Sequence, residues 1–397
     1  MTKTPLALGL AALVLFAYLT AIRSAFVLFY GLTLILLIAW LWPRQVIKKI
    51  EVTRHIEAGS PNVGEAFEES FTASKTGWIP APWVEVKDLG DVEGYQPGRV
   101  ISLGEPVTWT HKGVYPRRGW ITFGPTGIKV QEPFGLFTRT RRVNQRHRVL
   151  VYPRIRPMPD FIIPAEHHSG DARLLSPAWA DYPPETSGVR DYTDGDSLGR
   201  IHWPLSHRYG RLVSKTFEQP LTSDLVLVLD LQRGVHHGEG EESTLEYAIS
   251  LAASINLQVH SQGRLVGLIA NDRRGTMLTP HRAVRQEKAL LEYLAMAQAD
   301  GDVPITAPQV WERVRRLTGR MVVVITPSPD PTWLARLESL PSRRTTRVAF
   351  YLDATSFGAP GSHMTFEIRT DVDLFPVQKG DDFSRLLKAR TGARLVG

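Results

Sequence analysis

Cysteine is missing altogether from these 397 residues. Its absence excludes disulfides, thiolate metal sites and every cysteine nucleophile, and it fits a reducing compartment. A broad excess of one charge is lacking too. The formal net charge is +7, yet five of the 47 basic residues (Lys3, Arg23, Arg44, Lys48, Lys49) and none of the 40 acidic ones fall within residues 1–50, leaving 42 basic against 40 acidic elsewhere. Most of the excess therefore flanks apolar segments, where it sets membrane topology, and no nucleic-acid partner is expected. One local basic run remains: Arg139, Arg141, Arg142, Arg146, Arg148, Arg154 and Arg156 lie between Glu132 and Asp160 with no acid among them. Such a run is ordinarily a solvated face. The competing reading is attraction to anionic lipid headgroups, because the apolar segments are close in sequence. Low-complexity tracts and internal repeats are absent as well.

What is there begins with two apolar runs, Pro5 to Ile22 and Ser24 to Trp42. As helices each is about 27–28 Å long, close to a hydrocarbon core of about 30 Å. Lys3 precedes the first, Arg44, Lys48 and Lys49 follow the second, and Arg23 alone lies between them. The positive-inside rule then puts both ends in the cytoplasm. Residues 1–44 read as a two-helix membrane hairpin, with residues 5–42 in the lipid bilayer of the cell (inner or plasma) membrane. The chain is thus expected to be multi-pass, with its soluble bulk cytoplasmic. Trp40 and Trp42 suit the interface. The first run lacks the small-residue cleavage site of a signal peptide.

Residues 45–160 read as strands: Ile50 to Ile56, Trp83 to Lys87, Val107 to His111 and Trp120 to Phe123 alternate, with Gly and Pro between them at short intervals. This pattern predicts a β-sandwich-like domain. From residue 223 to 397 the texture changes. Leu225 to Leu231, Leu265 to Ala270, Met321 to Thr326 and Arg347 to Leu352 are near-continuous apolar runs, as buried parallel strands require. Helical spacing falls between and after them, at Ser243 to Ser261, Ala283 to Ala299, Ala307 to Leu317, Pro331 to Leu340 and Phe383 to Ala389. Strands alternating with helices predict a doubly wound α/β domain. The whole is an α+β multidomain chain, with residues 161–222 connecting its two soluble parts.

That connecting segment is unusually dense. Arg190, Asp191, Tyr192, Gly195 and Asp196 are followed by Arg200, His202, Trp203 and Arg208, then by Leu212-Val213-Ser214-Lys215. Linkers favour small, flexible residues; charged and aromatic side chains at this density need partners. Two readings stand: a structural clasp between the domains, with Trp203 its buried anchor, or a docking surface for another protein. The clasp is the expectation, because the first buried strand follows so soon.

Arg-x-Tyr-x-x-Gly-Asp from Arg190, Ile201-His202-Trp203, Ser206-x-Arg208 and Leu212-Val213-x-Lys215 together resemble the hallmark of the domain of unknown function 58 family. Arg117-Arg118-Gly119, Gly124-Pro125, Glu132 to Phe137 and Val151-Tyr152-Pro153-Arg154 follow that family's order. Glu132 stands where the family usually has Asp, and Pro204 where a basic residue is common. The resemblance implies a bacterial, membrane-anchored protein whose last domain is von Willebrand factor A-like. It also implies a cytoplasmic partner, a MoxR-type AAA+ ATPase. The function expected is a non-catalytic, membrane-tethered protein-interaction module. The alternative is a divalent-cation-dependent adhesion or binding protein of the von Willebrand factor A type.

In such domains a cation sits above the first strand, held by Asp-x-Ser-x-Ser with a later Thr and Asp. Here Asp230 is present, but Gln232 and Gly234 replace the serines and Arg233 adds a positive charge. A hard cation needs more oxygen ligands than this, so the site is read as degenerate and no metal or cofactor is expected. Asp230 should instead cap a turn or pair with Arg233. Gly195-Asp196-Ser197-Leu198 mimics a lipase nucleophile block, but no Asp in the chain has His three residues later, and a serine without a base is a weak nucleophile. His167-His168 and His236-His237 are adjacent pairs, which cannot easily share one ion. No enzyme is expected.

Overall fold

The computed structural model describes residues 4–20, 23–56, 59–90, 92, 98–161, 186–193, 201–217, 223–279, 285–317, 319–340, 345–361 and 372–386. The chain is mixed α+β and divides into two compact units, Met1–Tyr152 and Pro153–Gly397.

The first unit opens with helices α1 (Thr4–Thr20) and α2 (Arg23–Val46). Among the described residues one helix, Arg23–Lys49 with its last 3-10 turn, is long and apolar enough to cross a membrane. Helix α1, with 17 residues, is about 25 Å long. The strands are β1 (Ile50–Ile56), β2 (Ala66–Lys75), β3 (Ala81–Asp88), β4 (Gly98–Leu103), β5 (Val107–Val114), β6 (Gly119–Phe123), β7 (Thr126–Gln131), β8 (Thr138–Val143) and β9 (His147–Val151). They form antiparallel sheets in the orders β1-β2-β5, β4-β3-β7-β8 and β6-β9. Alternation along β1 buries Ile50, Val52 and Ile56 and exposes Glu51, Thr53 and His55, as expected for a strand with one face in a core. Phe71 and Trp109 of the first sheet meet Val84, Val86, Ile128 and Val130 of the second in one apolar cluster. Val46 and Ile47 lie in the same cluster, so the helix runs into the β fold with no flexible joint.

The second unit is built on a six-stranded sheet. Its strands are β12 (Ser223–Leu229), β15 (Val266–Ala270), β16 (Met277–Leu278), β17 (Gly319–Thr326), β18 (Thr346–Leu352) and β19 (Val372–Val377), in the order β16-β15-β12-β17-β18-β19. All pairs are parallel except β15-β16. Before it come β10 (Thr186–Asp191), α3 (Trp203–Tyr209) and β11 (Val213–Phe217), and after β12 the small hairpin β13 (Gly238–Glu239) and β14 (Glu242–Ser243). The helices are α4 (Thr244–Ser261), α5 (Arg285–Met296), α6 (Pro308–Arg316) and α7 (Thr332–Glu338). Val226 and Val228 pack under α6 and α7. Leu225, Leu227 and Leu229, pointing to the other face, are buried too, and α4 runs along the sheet. Both faces are covered, which is why these strands read as continuous apolar runs. Two expectations differ. The two edge strands, β16 and β19, were not expected: β16 has only two residues, and β19 is interrupted by Asp373 and Pro376 at the sheet edge, where Pro is tolerated. Phe383–Leu386 forms turns, not the start of a helix, and residues 387–389 lie outside the described ones.

Pro153 to Phe161 runs against α4. The Ser250 hydroxyl donates to the carbonyl of Arg154 at 2.6 Å, the Arg156 amide donates to Ser254 Oγ at 2.9 Å, and the Arg156 guanidinium lies over the rings of Tyr247 and Phe383. Near the end of α4, burial holds the His260 imidazole below its ordinary range, opposed by the Glu287 carboxylate. The unfolded chain then takes up this proton more readily than the folded one. Stability should be complete above about pH 6.5 and fall as pH drops below it. Thermal melts across that range should be flatter for His260→Gln than for the parent chain.

Candidate functional site

The hallmark segment forms a small module. Strands β10 and β11 pair antiparallel, with Asp191 opposite Val213 and Arg190 opposite Ser214. Helix α3 is anchored on β11 by one buried hydroxyl. Ser206 Oγ accepts from the Val213 amide at 2.9 Å, and the His202 amide donates to the Val213 carbonyl at 2.8 Å. His202 caps the helix, its Nδ1 accepting from the Leu205 amide at 3.3 Å. Gly210, at φ 63°, ends it in the left-handed conformation that glycine adopts without strain. Ile201 and Val213 are buried beneath.

The outer side of this module is aromatic and basic. Trp203 is 62% exposed, Tyr209 58% and Leu212 45%, with His207, Arg208 and Arg211 also exposed. The buried anchor expected at Trp203 is therefore corrected. Ser206, not Trp203, is the inward-facing residue, because the seven-residue helix is tied to β11 through its hydroxyl. Asp191 pairs with Arg211 at 2.9 Å, and Tyr192 continues the hairpin, its amide donating to the Leu212 carbonyl. Arg190 is placed on β10, though its side chain lies outside the described residues, as do Gly195, Asp196, Ser197 and Arg200 and the pair His167-His168.

Asp230 lies elsewhere in this unit, just past the carboxyl end of the central strand β12. The parallel register sets Leu229 opposite Ala270 and opposite Ile325, so Asp230, Asn271 and Thr326 follow side by side. Fully buried, the Asp230 carboxylate accepts from Asn271 Nδ2 at 2.8 Å, Thr326 Oγ1 at 2.6 Å and the Gln232 amide at 3.1 Å. Asn271 Oδ1 in turn accepts from the Leu231 amide at 2.6 Å. His236 Nε2 donates to the Asp230 carbonyl at 3.0 Å, and its Nδ1 lies 3.1 Å from Thr244 Oγ1. Arg233 is exposed, and the carboxylate is held by Asn271 and Thr326 instead. A divalent cation does not fit this donor set. Both carboxylate oxygens face hydrogen-bond donors, and among the described residues no second carboxylate joins them and no group of three His, Cys, Asp or Glu could hold a metal. Asn271 was missed from the sequence, although its place one residue beyond a buried strand, like that of Asp230, was a usable signal.

The hallmark pattern has a counterpart among known families. Residues 188–351 match the family described as "Protein of unknown function DUF58". The match begins in β10, takes in α3, β11 and the Asp230 cluster, and ends in β18. A curated relative, "Uncharacterized protein YeaD" of Bacillus subtilis (strain 168), is 21% identical over 294 residues, covering 70% of each chain. Among solved structures, the CARDB domain of the PF1109 protein from Pyrococcus furiosus is 18% identical, with a TM-score of 0.19, over 26% of this chain and 90% of its own. Cwp6 from Clostridium difficile is 9% identical, with a TM-score of 0.18, over 75% of this chain and 37% of its own. Scores this low carry no argument about fold.

Proposed function

We propose that this chain is a non-catalytic, membrane-tethered interaction module that docks a protein partner on the outer side of α3. The observation that carries this reading is the exposure of Trp203, with Tyr209 and Leu212 beside it. Large exposed aromatics beside arginine are the side chains that dominate protein interfaces. The anchor completes the proposal: residues 5–42 form two spans in the cell membrane and the soluble bulk is cytoplasmic, supported by the basic residues that flank them. Residues 223–397 are read as a von Willebrand factor A-like domain, supported by the parallel sheet with its central strand ending at Asp230. The partner is a MoxR-type AAA+ ATPase, as the sequence resemblance implies. No metal or cofactor takes part.

Co-purification of the full detergent-solubilised chain with such an ATPase tests this. Trp203→Ala should weaken capture about 30-fold, a hot-spot loss of about 2 kcal/mol. Its melting temperature should stay at the parent value, since little burial is lost. Undiminished capture would overturn the docking surface, and a lowered melting temperature would restore the clasp.

A further inference from the structure

We propose that the first unit seats its own β fold on anionic lipid headgroups, through a collar of aromatic and basic side chains around the exit of α2. The inference rests on α2 crossing the membrane and adds a lipid-binding surface to that anchor.

The height of the collar is set by the helix. About 20 residues cross the hydrocarbon core, and counted from Arg23 they end near Trp42. At this level the β fold already covers the helix: Ala39, Pro43 and Val46 are buried on α2, which packs against β7 and β8. Two loops reach the same level. The β2–β3 loop is pinned there because Trp42 Nε1 donates to the Pro80 carbonyl at 3.1 Å and the Thr76 amide to the Lys49 carbonyl at 3.0 Å. At its tip Trp78 is 88% exposed. The second is the β7–β8 turn. Arg141 donates to the carbonyls of Lys48 and Ile50. Arg139 lies two residues nearer the turn on β8, and both strands of this hairpin pack on α2, before the Lys48–Ile50 stretch that Arg141 holds. The turn beyond it, Glu132–Phe137, therefore points toward the bilayer.

This turn is built to hold apolar groups outward. The buried Glu132 carboxylate accepts from the amides of Phe134, Leu136 and Phe137, and Gly135 takes φ 75°. Phe134 is left 66% exposed, and Leu136 is exposed beside it. Trp83, opposite Gln131 at the same end of the sheet, is half exposed. Aromatic rings at this depth match the interfacial belt, and an apolar patch of this kind marks an interaction surface. Arg44, Lys48, Lys49 and Arg139 give the collar its charge, with Glu51 and Glu105 against them. Anionic headgroups meet that charge, and a rigid junction at Val46 and Ile47 leaves the β fold no freedom to stand off.

Because the chain has no cysteine, single labels report cleanly. The full chain carrying Trp78→Cys, Phe134→Cys, Leu34→Cys or Asn144→Cys would be labelled with an environment-sensitive fluorophore. Each would be reconstituted in phosphatidylcholine vesicles with and without phosphatidylglycerol and quenched by nitroxide lipids. Leu34 lies within α2 and reports whether the helix inserts; Asn144 lies past the far end of β8. Labels at 78 and 134 should be blue-shifted and quenched several-fold more than the label at 144, more strongly with phosphatidylglycerol. Lys48→Glu combined with Lys49→Glu should abolish that lipid dependence. If 34 is quenched while 78 and 134 behave like 144, the collar is wrong and the anchor stands; if 34 is not quenched, the anchor itself fails and the collar falls with it. Blue-shifted labels at 78 and 134 that resist lipid quenching would mean cover by a second copy, which also overturns the proposal.

Discussion

Replacing Arg54 with Ala should cost about 3–5 kcal/mol of stability in the first unit, the range for breaking a buried charge pair from one side. Arg54 on β1 donates through Nε to Glu69 on β2 at 2.7 Å and through Nη1 to Asp88 at the end of β3 at 3.1 Å. Its Nη2 lies 2.7 Å from Glu69 and 2.9 Å from Asp88. The rings of Phe71 and Phe123 flank the guanidinium, and Asp88 also accepts from the amides of Gly90 and Gly124. Burial pulls the guanidinium pKa down, but the hydrogen bonds it donates to Asp88 and Glu69, with their negative charge, outweigh it and the net direction is upward. Removing the cation would take from both carboxylates the guanidinium they share in the core. Hydrogen exchange of the β1 and β2 amides in the full chain would read the loss directly. Arg54→Met with Glu69→Gln, which removes charge of both signs, should recover much of it. Exchange unchanged in Arg54→Ala would show that the network contributes nothing to the fold.

Replacing Asp230 with Ala should destabilise the second unit by about 2–3 kcal/mol, because the fully buried Thr326 hydroxyl and the half-buried Gln232 amide would lose their acceptor. Asn271 should lose less, since its Nδ2 also donates to the Val303 carbonyl at 2.9 Å. Asp230→Asn keeps one oxygen and should lie between Ala and the parent. Magnesium should leave the melting temperature of the parent chain unchanged. A rise with magnesium that vanishes in Asp230→Ala would show that the carboxylate binds a cation after all.

The sequence by itself determined the apolar helix at the start and the four inner strands of the second sheet. Each depends on a local run whose meaning does not change with context: a long apolar segment suits a bilayer, and a short apolar β-rich run suits a strand buried on both faces. The helices that follow were legible from 3.6-residue spacing, as at α4, where Ser243 caps the first turn by accepting from the Glu246 amide. Tertiary structure decided the rest. Strand β19 has too mixed a composition to announce itself and exists because an edge was free beside β18. Glu132 stood out only as a departure from a family pattern until the fold brought three amides to its carboxylate. Arg141 belonged to a basic run and became a tether to the helix exit. Arg54, Glu69 and Asp88 gave no warning, since their partnership is made across three strands by side chains 15 and 34 residues from Arg54, a spacing no local pattern singles out. Trp203 shows the reason most clearly. Its chemistry left a buried and an exposed place both open; which of them it takes depends on which side of a short helix is tied to β11, and one hydrogen-bonded serine sets that through a contact no local pattern encodes.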